Sequence, residues 1–381
     1  MLNNRFFFLS RSLDPLTVSQ NKIDTSSKKF ELGFVKALSK KCDLEVVYIG
    51  KAINSENVNK IDKDISYQCI NHYSIFGSIS LLKHITNKDC YLNNIVITSA
   101  YYPLLSFILL ISRLFGVSVF SYIYDTHKSA TANMKQVKKT FVNLYFSLGF
   151  EMAKKFNGLF VLNNTFIKKM RIVTPYLKTR IGIDIDTNNF DNKFKVDISR
   201  NEHKIICFAG TLNDDNGVKI LLETFKKNRN INYELHFYGY GNLEKDIVTL
   251  AKYDARIKFF GNTSQDILQK KLMEADYLIN LRDPNALSSD YAFPSKFIDY
   301  LATGTPVISN YFPAMDEVYK SCIIPIASFS VDSILESLVE LERMKLLPFS
   351  KNKVREILER KNNWDSIVDD ILLFIKKECA A

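Results

Sequence analysis

The chain alternates short β-rich runs with helical segments, and this alternation restricts the possible fold more than any other feature of the sequence. The β-rich runs are almost continuously apolar, as strands buried on both faces are, rather than alternating between apolar and polar residues. Helical segments such as 29–41, 217–227 and 264–275 separate them, which is typical of an α/β protein with doubly wound parallel sheets. We predict strands at residues 5–10, 44–50, 94–99, 117–125, 158–163, 204–210, 233–239, 257–261, 276–281 and 305–310.

The alternating pattern occurs twice, and a polar stretch at 186–203 without apolar periodicity separates the two sets. The 381 residues are too many for one ordinary core but suit two domains of about 150–200 residues each. We therefore predict two Rossmann-like domains, at about 1–185 and 186–365, that face a cleft. Because open α/β sheets bind ligands beyond the carboxyl ends of their strands, functional residues should directly follow strands.

Composition narrows the class of partner. The net charge of +10 favours an anionic partner, such as a nucleotide, a nucleic acid, a phospholipid or a phosphorylated substrate. No motif that combines aromatic and basic residues supports nucleic-acid binding. The six cysteines form no CxxC pair and no zinc spacing with histidine, which fits scattered thiols in a reducing cytoplasm. The N-terminal apolar run is too short for a signal peptide.

The longest apolar stretch, residues 101–117, is shorter than the roughly 20 residues that a membrane-spanning helix needs. Arg113 interrupts this stretch, and Pro103 and Gly116 bound it. We expect a helix that is buried in the core. A helix that dips into a membrane surface is the alternative.

Two polar loops that follow predicted strands in the second half are candidates for anion binding. In "FAGTLNDDNGVKILLETF" (208–225) a strand ends at Gly210 and a helix opens soon afterwards, so backbone N–H groups could meet a phosphate. In "HFYGYGNLEKDI" (236–247) Gly239 and Gly241 would let the backbone approach a ligand closely. Neither loop has a GxGxxG or P-loop pattern, so an ordinary strand-to-helix turn is the alternative for each.

The stretch "FPSKFIDYLATGTPVISN" (293–310) carries a more specific signal. Pro294 and Ser295 can start a helix, and Lys296 lies in its first turn, where a cation and the helix N-terminus would together neutralise a diphosphate. Asp299 shares a helix face with Lys296 and can accept two hydrogen bonds from a ribose diol. The alternative is a solvent-exposed Lys–Asp pair at the start of a surface helix.

In their order along the chain, these stretches resemble the GT-B glycosyltransferases, in particular the large retaining family 4. Residues 200–312 contain the family's ordered pattern as "GTLNDDNGVKILLETF", "YGYG", "IKFFG", "ADYLINL" and "FIDYLATGTPVIS". The first half follows the family only in its alternation of strands and helices. The most similar subgroup, found among bacterial polysaccharide, O-antigen and capsule enzymes, carries FPSK-x-x-E-Y-L-A-x-G-x-P-V-I. The resemblance implies an acceptor-binding first domain, a second domain that binds the nucleotide-sugar, and a last helix, 366–381, that packs back toward the first domain.

This sequence departs from the family pattern at its charged positions. Asp299 matches the second Glu of the family's Glu-x7-Glu pair, and Tyr291 matches the first. Thr211 and Asn216 stand where the family has two phosphate-binding cations, so the resemblance leaves Lys296 to supply the missing positive charge. The predicted contacts to the sugar donor are Gly210, Thr211, Asn216, Gly239, Gly241, Tyr291, Phe293, Pro294, Ser295, Lys296 and Asp299.

In the first half, His127 follows the predicted strand 117–125, and the resembled family often places a histidine in this region near the sugar. We predict a catalytic role for His127, beside Lys296 and Asp299. A capping or structural histidine is the alternative. The loop that replaces the family's glycine-rich first loop, together with the end of this strand, supplies the predicted contacts to the acceptor or the sugar: Arg11, Ser19, Lys22 and Asp125.

Residues 126–171 contain nine basic residues and one acidic residue, Glu151. Apolar residues recur between them at helical spacing, and such a basic amphipathic segment suits an anionic membrane surface. The alternative is a solvated basic helix whose apolar stripe lies in the core. The basic residues are Lys128, Lys135, Lys138, Lys139, Lys154, Lys155, Lys168, Lys169 and Arg171, and the apolar ones are Phe141, Leu144, Tyr145 and Leu148.

The resemblance implies transfer of a sugar from a UDP- or GDP-linked donor to a hydroxyl of a lipid-linked or growing cell-surface glycan, with retention of anomeric configuration. No metal or other cofactor is expected, because "NDDN" (213–216) lacks a DxD spacing and the resembled enzymes usually need none. The expected location is cytoplasmic, on the inner face of the cell membrane. Two alternatives are a catalytically silent GT-B module that binds a glycan or a partner glycosyltransferase, and a sugar-nucleotide epimerase.

Overall fold

The structure, a computed structural model, describes residues 4–15, 17, 25–50, 60–62, 65–71, 74–87, 93–124, 136–183, 203–344 and 349–380. The chain divides into two compact units, of which the first comprises Met1–Asp184 and Asn362–Ala381 and the second Ile185–Lys361.

The described elements follow one another in the alternation that the sequence predicts. In chain order they are β1 (Asn4–Ser10), α1 (Ser26–Ser39), β2 (Asp43–Ile49), β3 (Lys60–Asp62), β4 (Ile65–Ile70), α2 (Ile75–Thr86), β5 (Asn93–Thr98), α3 (Pro103–Leu114), β6 (Ser118–Ile123), α4 (Gln136–Ala153), β7 (Gly158–Val161), α5 (Asn164–Lys169), β8 (Tyr176–Lys178), β9 (Lys204–Ala209), α6 (Val218–Lys227), β10 (Tyr233–Tyr238), α7 (Glu244–Ala251), β11 (Ile257–Gly261), α8 (Gln265–Glu274), β12 (Tyr277–Asn280), α9 (Leu287–Tyr291), α10 (Ser295–Ala302), β13 (Val307–Asn310), a 3₁₀ helix (Glu317–Cys322), β14 (Ile324–Ile326), α11 (Val331–Arg343), α12 (Lys351–Lys361) and α13 (Trp364–Ala380).

The first unit is built on a sheet with the strand order β3-β4-β2-β1-β5-β6-β7-β8. Its neighbouring strands pair in parallel, except that β3 and β4 are antiparallel. The chain leaves β1 first toward β2 and later returns to its other side with β5. The strand order therefore reverses between β1 and β5, the kind of position where open α/β sheets bind ligands.

Helix α13 belongs to the first unit, where Trp364, the chain's one tryptophan, anchors it. The centre of the Trp364 ring lies 5.2 Å from that of Phe30 and 6.4 Å from that of Phe34, both on α1. Gly33 of α1 faces the indole, and a Cβ at this position would lie 2.4 Å from Trp364 Nε1. A glycine inside α1 thus allows the last helix to pack directly on the first.

The second unit is built on a parallel sheet with the order β11-β10-β9-β12-β13-β14. Helix α6 packs on it through Val218, Leu221, Leu222 and Phe225, whose i, i+3, i+4 and i+7 spacing places them on one buried face. Burial of each such side chain stabilises the fold by about 1.5–3 kcal/mol. The strand order reverses between β9 and β12, so the loops after these two strands flank the expected binding position.

The predicted α/β fold with two mainly parallel sheets is confirmed, and a described strand is present at each of the ten predicted positions. The unpredicted strands β3, β4, β8 and β14 lie at or next to a sheet edge, where one side of the strand pairs with little or nothing. There the apolar run is interrupted, as in β4, whose residues alternate between buried and exposed, and in β14, which contains Pro325.

The stretch 101–117 forms helix α3, and the expectation of a buried helix holds for one side of it only. Leu105, Ile108 and Leu109 are buried, as expected. Phe107 is 51% exposed and Leu114 84% exposed, so the opposite side presents large apolar groups at the surface.

Candidate functional site

The candidate site lies at the carboxyl ends of β9 and β12, where the strand order of the second sheet reverses. These strands pair at only two positions, and their ladder ends at Cys207 and Leu278. Beyond this point the backbone N–H and C=O of Ala209 in β9 bond to the Tyr300 hydroxyl of α10. The hydroxyl accepts a hydrogen bond from Ala209 N (2.6 Å) and donates one to Ala209 O (2.9 Å). Tyr300, in the second turn of α10, therefore holds this helix beside the end of β9.

Lys296 lies in the first turn of α10, over the end of β9. Its Nζ is buried, lies 4.0 Å from the centre of the Phe208 ring and has no hydrogen-bond partner among the described residues. Gly210, whose φ of 136° favours glycine, lies against the lysine stem: a Cβ placed on it would be 3.4 Å from Lys296 Cδ. Burial, together with the nearby Arg282 guanidinium, lowers the pKa of Lys296 from 10.5 to about 7. A buried amino group whose described surroundings offer it no acceptor is a strong candidate for binding an anion.

Arg282 is a second buried cation in this region, and it is not among the site residues predicted from the sequence. The residue is 8% exposed; its Nε donates to Ser289 Oγ (3.1 Å) and its Nη1 to Asn216 Oδ1 (2.9 Å). Its backbone N–H and C=O both bond to the side-chain amide of Asn310, at the end of β13 (2.9 and 2.8 Å). A signal was present in the sequence, because Arg282 follows a buried strand by two residues, where this fold places ligand contacts.

Hydrogen bonds join the loop after β9, residues 210–217, to the segment after β12, residues 281–294. Asp283 N donates to Asp215 O (2.9 Å), and Ser288 Oγ donates to Asp215 Oδ2 (2.6 Å). These bonds connect the two loops across the point where the strand order reverses, so the loops hold one another in place.

Asn216 strengthens this connection from a buried position. Its Nδ2 donates to Thr211 O (2.9 Å), and its Oδ1 accepts from Arg282. Thr211 itself is exposed beside the end of β9. The two residues that stand in the family's cation positions thus belong to a network that holds a different cation, Arg282.

The predicted donor contacts Gly239 and Gly241 have a packing role in the structure. Gly239 has φ 123°, and a Cβ there would lie 2.0 Å from Gly210 O; a Cβ on Gly241 would lie 2.2 Å from Leu212 O. Gly210 N donates to Tyr238 O (3.0 Å), which continues the β9–β10 ladder into the loops. The glycines therefore allow two loops to pack backbone to backbone, and their contact with a sugar donor stays a prediction.

The three residues before Lys296, Phe293–Ser295, lead into the start of α10. Pro294 is the N-cap residue and makes no side-chain capping bond among the described residues, and half-buried Ser295 begins the helix. The Phe293 ring packs 5.9 Å from that of Phe312 and 6.3 Å from that of Phe297, centre to centre, which anchors this segment to the core. The first backbone N–H groups of α10 thus lie beside Lys296 and can bind the same anion.

Tyr291 and Asp299 are both half-buried at the two ends of this segment, Tyr291 as the last residue of α9 and Asp299 one turn after Lys296. Tyr291 carries no carboxylate at the position of the family's first Glu. The predicted bond from Asp299 to a ribose stays a prediction.

Arg11 directly follows β1, near the position where the strand order of the first sheet reverses. Its backbone N–H donates to Ser99 Oγ (3.4 Å), and its Nε donates to Tyr124 Oη (3.3 Å). Tyr124 in turn donates to the buried Glu31 carboxylate (2.6 Å). Burial disfavours the charged form of Arg11, but attraction to Tyr124 and Glu31 outweighs this effect and raises its pKa above the usual value. Arg11 is thus held in its charged form beside this reversal of strand order, and its contact with the acceptor or the sugar stays a prediction.

The remaining predicted residues of the first half, Ser19, Lys22, Asp125 and His127, lie outside the described residues, as does the linker centred on 186–202. Their roles stay predictions. Within the described ranges, no group of three or more His, Cys, Asp or Glu side chains could hold a metal ion.

Helices α2, α3 and α4 are neighbours in the first unit and expose large apolar side chains. Phe76 is 86% exposed, Phe107 51% and Phe141 70%. On α4 the apolar stripe between the basic residues faces solvent rather than the core, and Lys138 is exposed beside it. We call this surface the apolar face; its members are Ile75, Phe76, Ile79, Leu104, Phe107, Leu114, Phe115, Val137, Phe141, Leu144, Tyr145 and Leu148. In the part of the chain that the structure describes, no helix has the length and hydropathy to cross a bilayer.

Residues 203–341 match a family model described as "Glycosyl transferases group 1", and this range contains Lys296, Arg282 and the loops that hold them. No curated protein sequence matches the chain.

Solved structures share the fold along nearly the whole chain, at low sequence identity. Sucrose-phosphate synthase from Thermosynechococcus elongatus is 11% identical, with 99% of this chain and 100% of that chain covered and a TM-score of 0.69. HepE from Anabaena in complex with UDP is 11% identical, with 99% and 100% covered and a TM-score of 0.65. The lipopolysaccharide outer core galactosyltransferase WaaB is 13% identical, with 98% and 99% covered and a TM-score of 0.64. The chain therefore has the fold of the GT-B glycosyltransferases, and its second unit carries the match to glycosyl transferases group 1.

Proposed function

We propose that this protein is a glycosyltransferase that moves a sugar from a nucleoside-diphosphate sugar to a hydroxyl group. The observation that carries the proposal is the buried Lys296 amino group, which lies at the first turn of α10 and beside the reversal of strand order, with no acceptor among the described residues. The match to the group 1 model spans this region. HepE, which shares the fold, has been solved with UDP and with UDP-glucose, and this supports a nucleotide-sugar as the ligand.

Glycosyl transfer breaks the bond between the anomeric carbon and a diphosphate oxygen, and negative charge grows on the departing diphosphate. Lys296 and the first N–H groups of α10 would stabilise this charge, which is the largest contribution that a preorganised site makes to such a reaction. Asp299, on the same helix face, would bind the ribose. UDP or GDP as the nucleotide, retention of anomeric configuration and independence from metal are proposed from the family resemblance.

We propose further that the acceptor is lipid-linked and that the protein acts at the inner face of the cell membrane. The apolar face supports this, because it presents large apolar groups on three adjacent helices beside basic residues such as Lys138. Apolar side chains that enter the headgroup region and cations that meet anionic lipids bind a membrane surface together. A soluble monomer rarely leaves so many large apolar groups together in water.

Nucleotide binding tests the first proposal. Thermal-shift screening followed by calorimetry with UDP, GDP and their sugar derivatives should find one nucleoside diphosphate that stabilises the wild-type protein. Lys296→Met should weaken this binding, whereas Lys270→Met, at an exposed position on α8, should not. A chain that no nucleotide stabilises would contradict the proposal.

Co-sedimentation with anionic vesicles tests the membrane proposal independently. The double variant Phe107→Ser/Phe141→Ser should bind vesicles more weakly than the wild type. Tyr253→Ser is the matched control, because Tyr253 is 79% exposed but lies in the second unit. Equal binding by the double variant and the wild type would refute membrane attachment through the apolar face and would leave the nucleotide site unaffected.

A further inference from the structure

Strand β1 has an arginine near each of its ends, and the two arginines meet a buried glutamate in different ways. At the amino end, Arg5 Nη2 bonds directly to the Glu45 carboxylate (2.8 Å), so the two charges neutralise each other. At the carboxyl end, the Tyr124 hydroxyl lies between Arg11 and Glu31, and no direct bond joins these two residues within the described contacts. The second arrangement keeps a carboxylate near the guanidinium without occupying the guanidinium.

Glu31 holds the Tyr124 hydroxyl in one orientation. The Glu31 side chain is fully buried in α1, and its carboxylate accepts hydrogen bonds from Ser10 Oγ and from Ser12 N (3.3 Å). It also accepts one from Tyr124 Oη (2.6 Å), and the three donors replace the water that a buried carboxylate loses. Because the phenol proton points to Glu31, the phenol oxygen can act only as an acceptor toward Arg11 Nε, 3.3 Å away.

These contacts fix the Arg11 side chain and leave its outer nitrogens available. The guanidinium carbon lies 5.3 Å from the centre of the Tyr124 ring, and the backbone N–H donates to Ser99 Oγ beyond β5 (3.4 Å). Nε is the guanidinium nitrogen that bonds to a described residue, and Nη1 and Nη2 donate to no acceptor among the described residues. Two parallel N–H groups of this kind match two oxygens of a phosphate. They lie where the strand order reverses between β1 and β5, the position at which open α/β sheets bind ligands.

We propose that Arg11 binds a phosphate group of the acceptor on the first unit and that Tyr124, held by Glu31, is its positioning residue. The inference rests on the proposed function and deepens it, since a glycan that is linked to a lipid through phosphate carries such a group beside its first sugar. The diphosphate of the donor is already assigned to Lys296 in the second unit. The acceptor is therefore the anionic substrate that remains for the first unit.

A purely structural role for Arg11, as a link between the ends of β1 and β6, makes a different prediction. Loss of such a link would disturb the whole ligand position of the first unit, so a lipid alcohol and its diphosphate would both bind more weakly. A cation for a phosphate would matter only when the phosphate is present. Comparison of a prenyl diphosphate with the corresponding alcohol therefore separates the two roles.

Calorimetric titration of geranyl diphosphate and geraniol into the intact chain, saturated with the nucleoside diphosphate that it binds, makes this comparison. Arg11→Met should weaken geranyl diphosphate by roughly 10- to 100-fold, since a hydrogen bond to a charged group is lost, and should leave geraniol unchanged. Arg11→Lys should restore part of this loss, because lysine keeps the charge but not the paired N–H groups. Inorganic pyrophosphate should bind more weakly than geranyl diphosphate, and equal binding would overturn the assignment to a lipid-linked acceptor.

Arg5→Met is the matched control. Arg5 lies on the same strand, beside a buried glutamate and 5.0 Å from the centre of the Phe7 ring, but at the amino end of the sheet. Its replacement should leave the affinity for geranyl diphosphate unchanged in the folded protein.

A double-mutant cycle tests the positioning role of Tyr124. Tyr124→Phe keeps the ring and removes the oxygen that orients Arg11, so it should weaken geranyl diphosphate by roughly 3- to 10-fold in the wild-type background. It should have no further effect when Arg11 is already Met. The Lys variant at position 11 and Tyr124→Phe keep the test decisive if the Met variant fails to fold.

Unchanged affinity for geranyl diphosphate in folded Arg11 variants, or a wild type that binds geraniol equally well, would overturn this inference alone. An equal loss for the alcohol and the diphosphate would overturn it in favour of the structural link. Weaker binding of the nucleoside diphosphate in the Arg11 variants would assign Arg11 to the donor instead. If the wild-type chain binds neither UDP nor GDP, the proposed function falls, and the inference falls with it.

Discussion

Replacement of Lys296 by Met should make the protein more stable and less active at once. Burial and the nearby Arg282 lower the pKa of Lys296 from 10.5 to about 7, so the folded state disfavours the charged form. Each pKa unit corresponds to about 1.4 kcal/mol, and the charged lysine therefore costs the fold about 4–5 kcal/mol well below pH 7. Between pH 7 and 10.5 the unfolded chain holds a proton that the folded chain lacks, so stability rises with pH across this window, and above it the penalty is absent.

Two effects reduce the gain from Lys296→Met. The variant loses the cation–π contact with Phe208, which is 4.0 Å long and is worth about 1–2 kcal/mol. The flexible lysine stem can also carry its amino group toward water and relieve part of the penalty. We expect a net gain of about 1–3 kcal/mol near pH 6 and a smaller gain, or none, near pH 10.

Urea unfolding of the wild type, Lys296→Met and the exposed control Lys270→Met at both pH values measures this difference. Turnover should fall by about 10²–10³-fold in the Lys296 variant, as when one preorganised contact to the developing charge is removed. A variant that is less stable than the wild type at both pH values, or whose gain does not depend on pH, would refute the assignment of Lys296 as a buried, unpaired cation.

Asp299, the lysines of α4 and the sequence-predicted His127 can each be tested by substitution. Asp299→Asn should weaken binding of the free nucleoside diphosphate more than it slows single turnover, because it affects the ribose rather than the leaving charge; calorimetry beside single-turnover rates checks this, and an effect confined to the rate would contradict it. His127→Ala should lower turnover by roughly 10²-fold with the fold intact; a variant that keeps its activity, or that unfolds, would favour a structural histidine. Lys138→Glu/Lys139→Glu should weaken binding to anionic vesicles, by about 1 kcal/mol per cation removed, and this loss should shrink at high salt; equal sedimentation in low salt would refute the role of these lysines.

Nearly continuous apolar runs in the sequence predicted the positions of ten strands correctly, because these strands are largely buried on both faces. Segments such as 94–99 and 204–210 have a neighbouring strand on either side, and their central residues, 95–97 and 206–208, are buried and apolar. Strands at or next to a sheet edge, such as β4, follow a weaker rule, because buried and exposed residues alternate along β4. Periodicity alone could not separate them from loops.

The candidate site was predicted in part, and Arg282 shows where the prediction stopped. At positions 211 and 216, where the resembled family has basic residues, this sequence has the uncharged residues Thr and Asn. The structure shows instead that the Asn216 amide oxygen accepts a hydrogen bond from Arg282, a buried cation in the loop after β12. This contact joins residues 66 positions apart, which local sequence patterns do not report.

The sequence pattern also did not show whether the apolar side chains of α4 are buried or exposed. The apolar stripe of α4 has the spacing of a core-facing stripe and of a membrane-facing one, because both require the same helical period. Phe141 and Leu144, 70% and 68% exposed, show that this stripe does not lie in the core, and contact with a membrane stays a proposal. The side of α3 that carries Phe107 extends the same surface.

Release of nucleoside diphosphate from a panel of UDP- and GDP-sugars, with and without a lipid extract as acceptor, tests the central claim most directly. The account predicts that one nucleotide-sugar releases its diphosphate, that the lipid acceptor accelerates this release, and that Lys296→Met abolishes most of it. Binding of a nucleotide-sugar without any release would support a silent GT-B module, and conversion of the donor to an isomer without an acceptor would support an epimerase. Either of these results, or no reaction of the wild-type protein with any donor in the panel, would contradict the proposed glycosyl transfer.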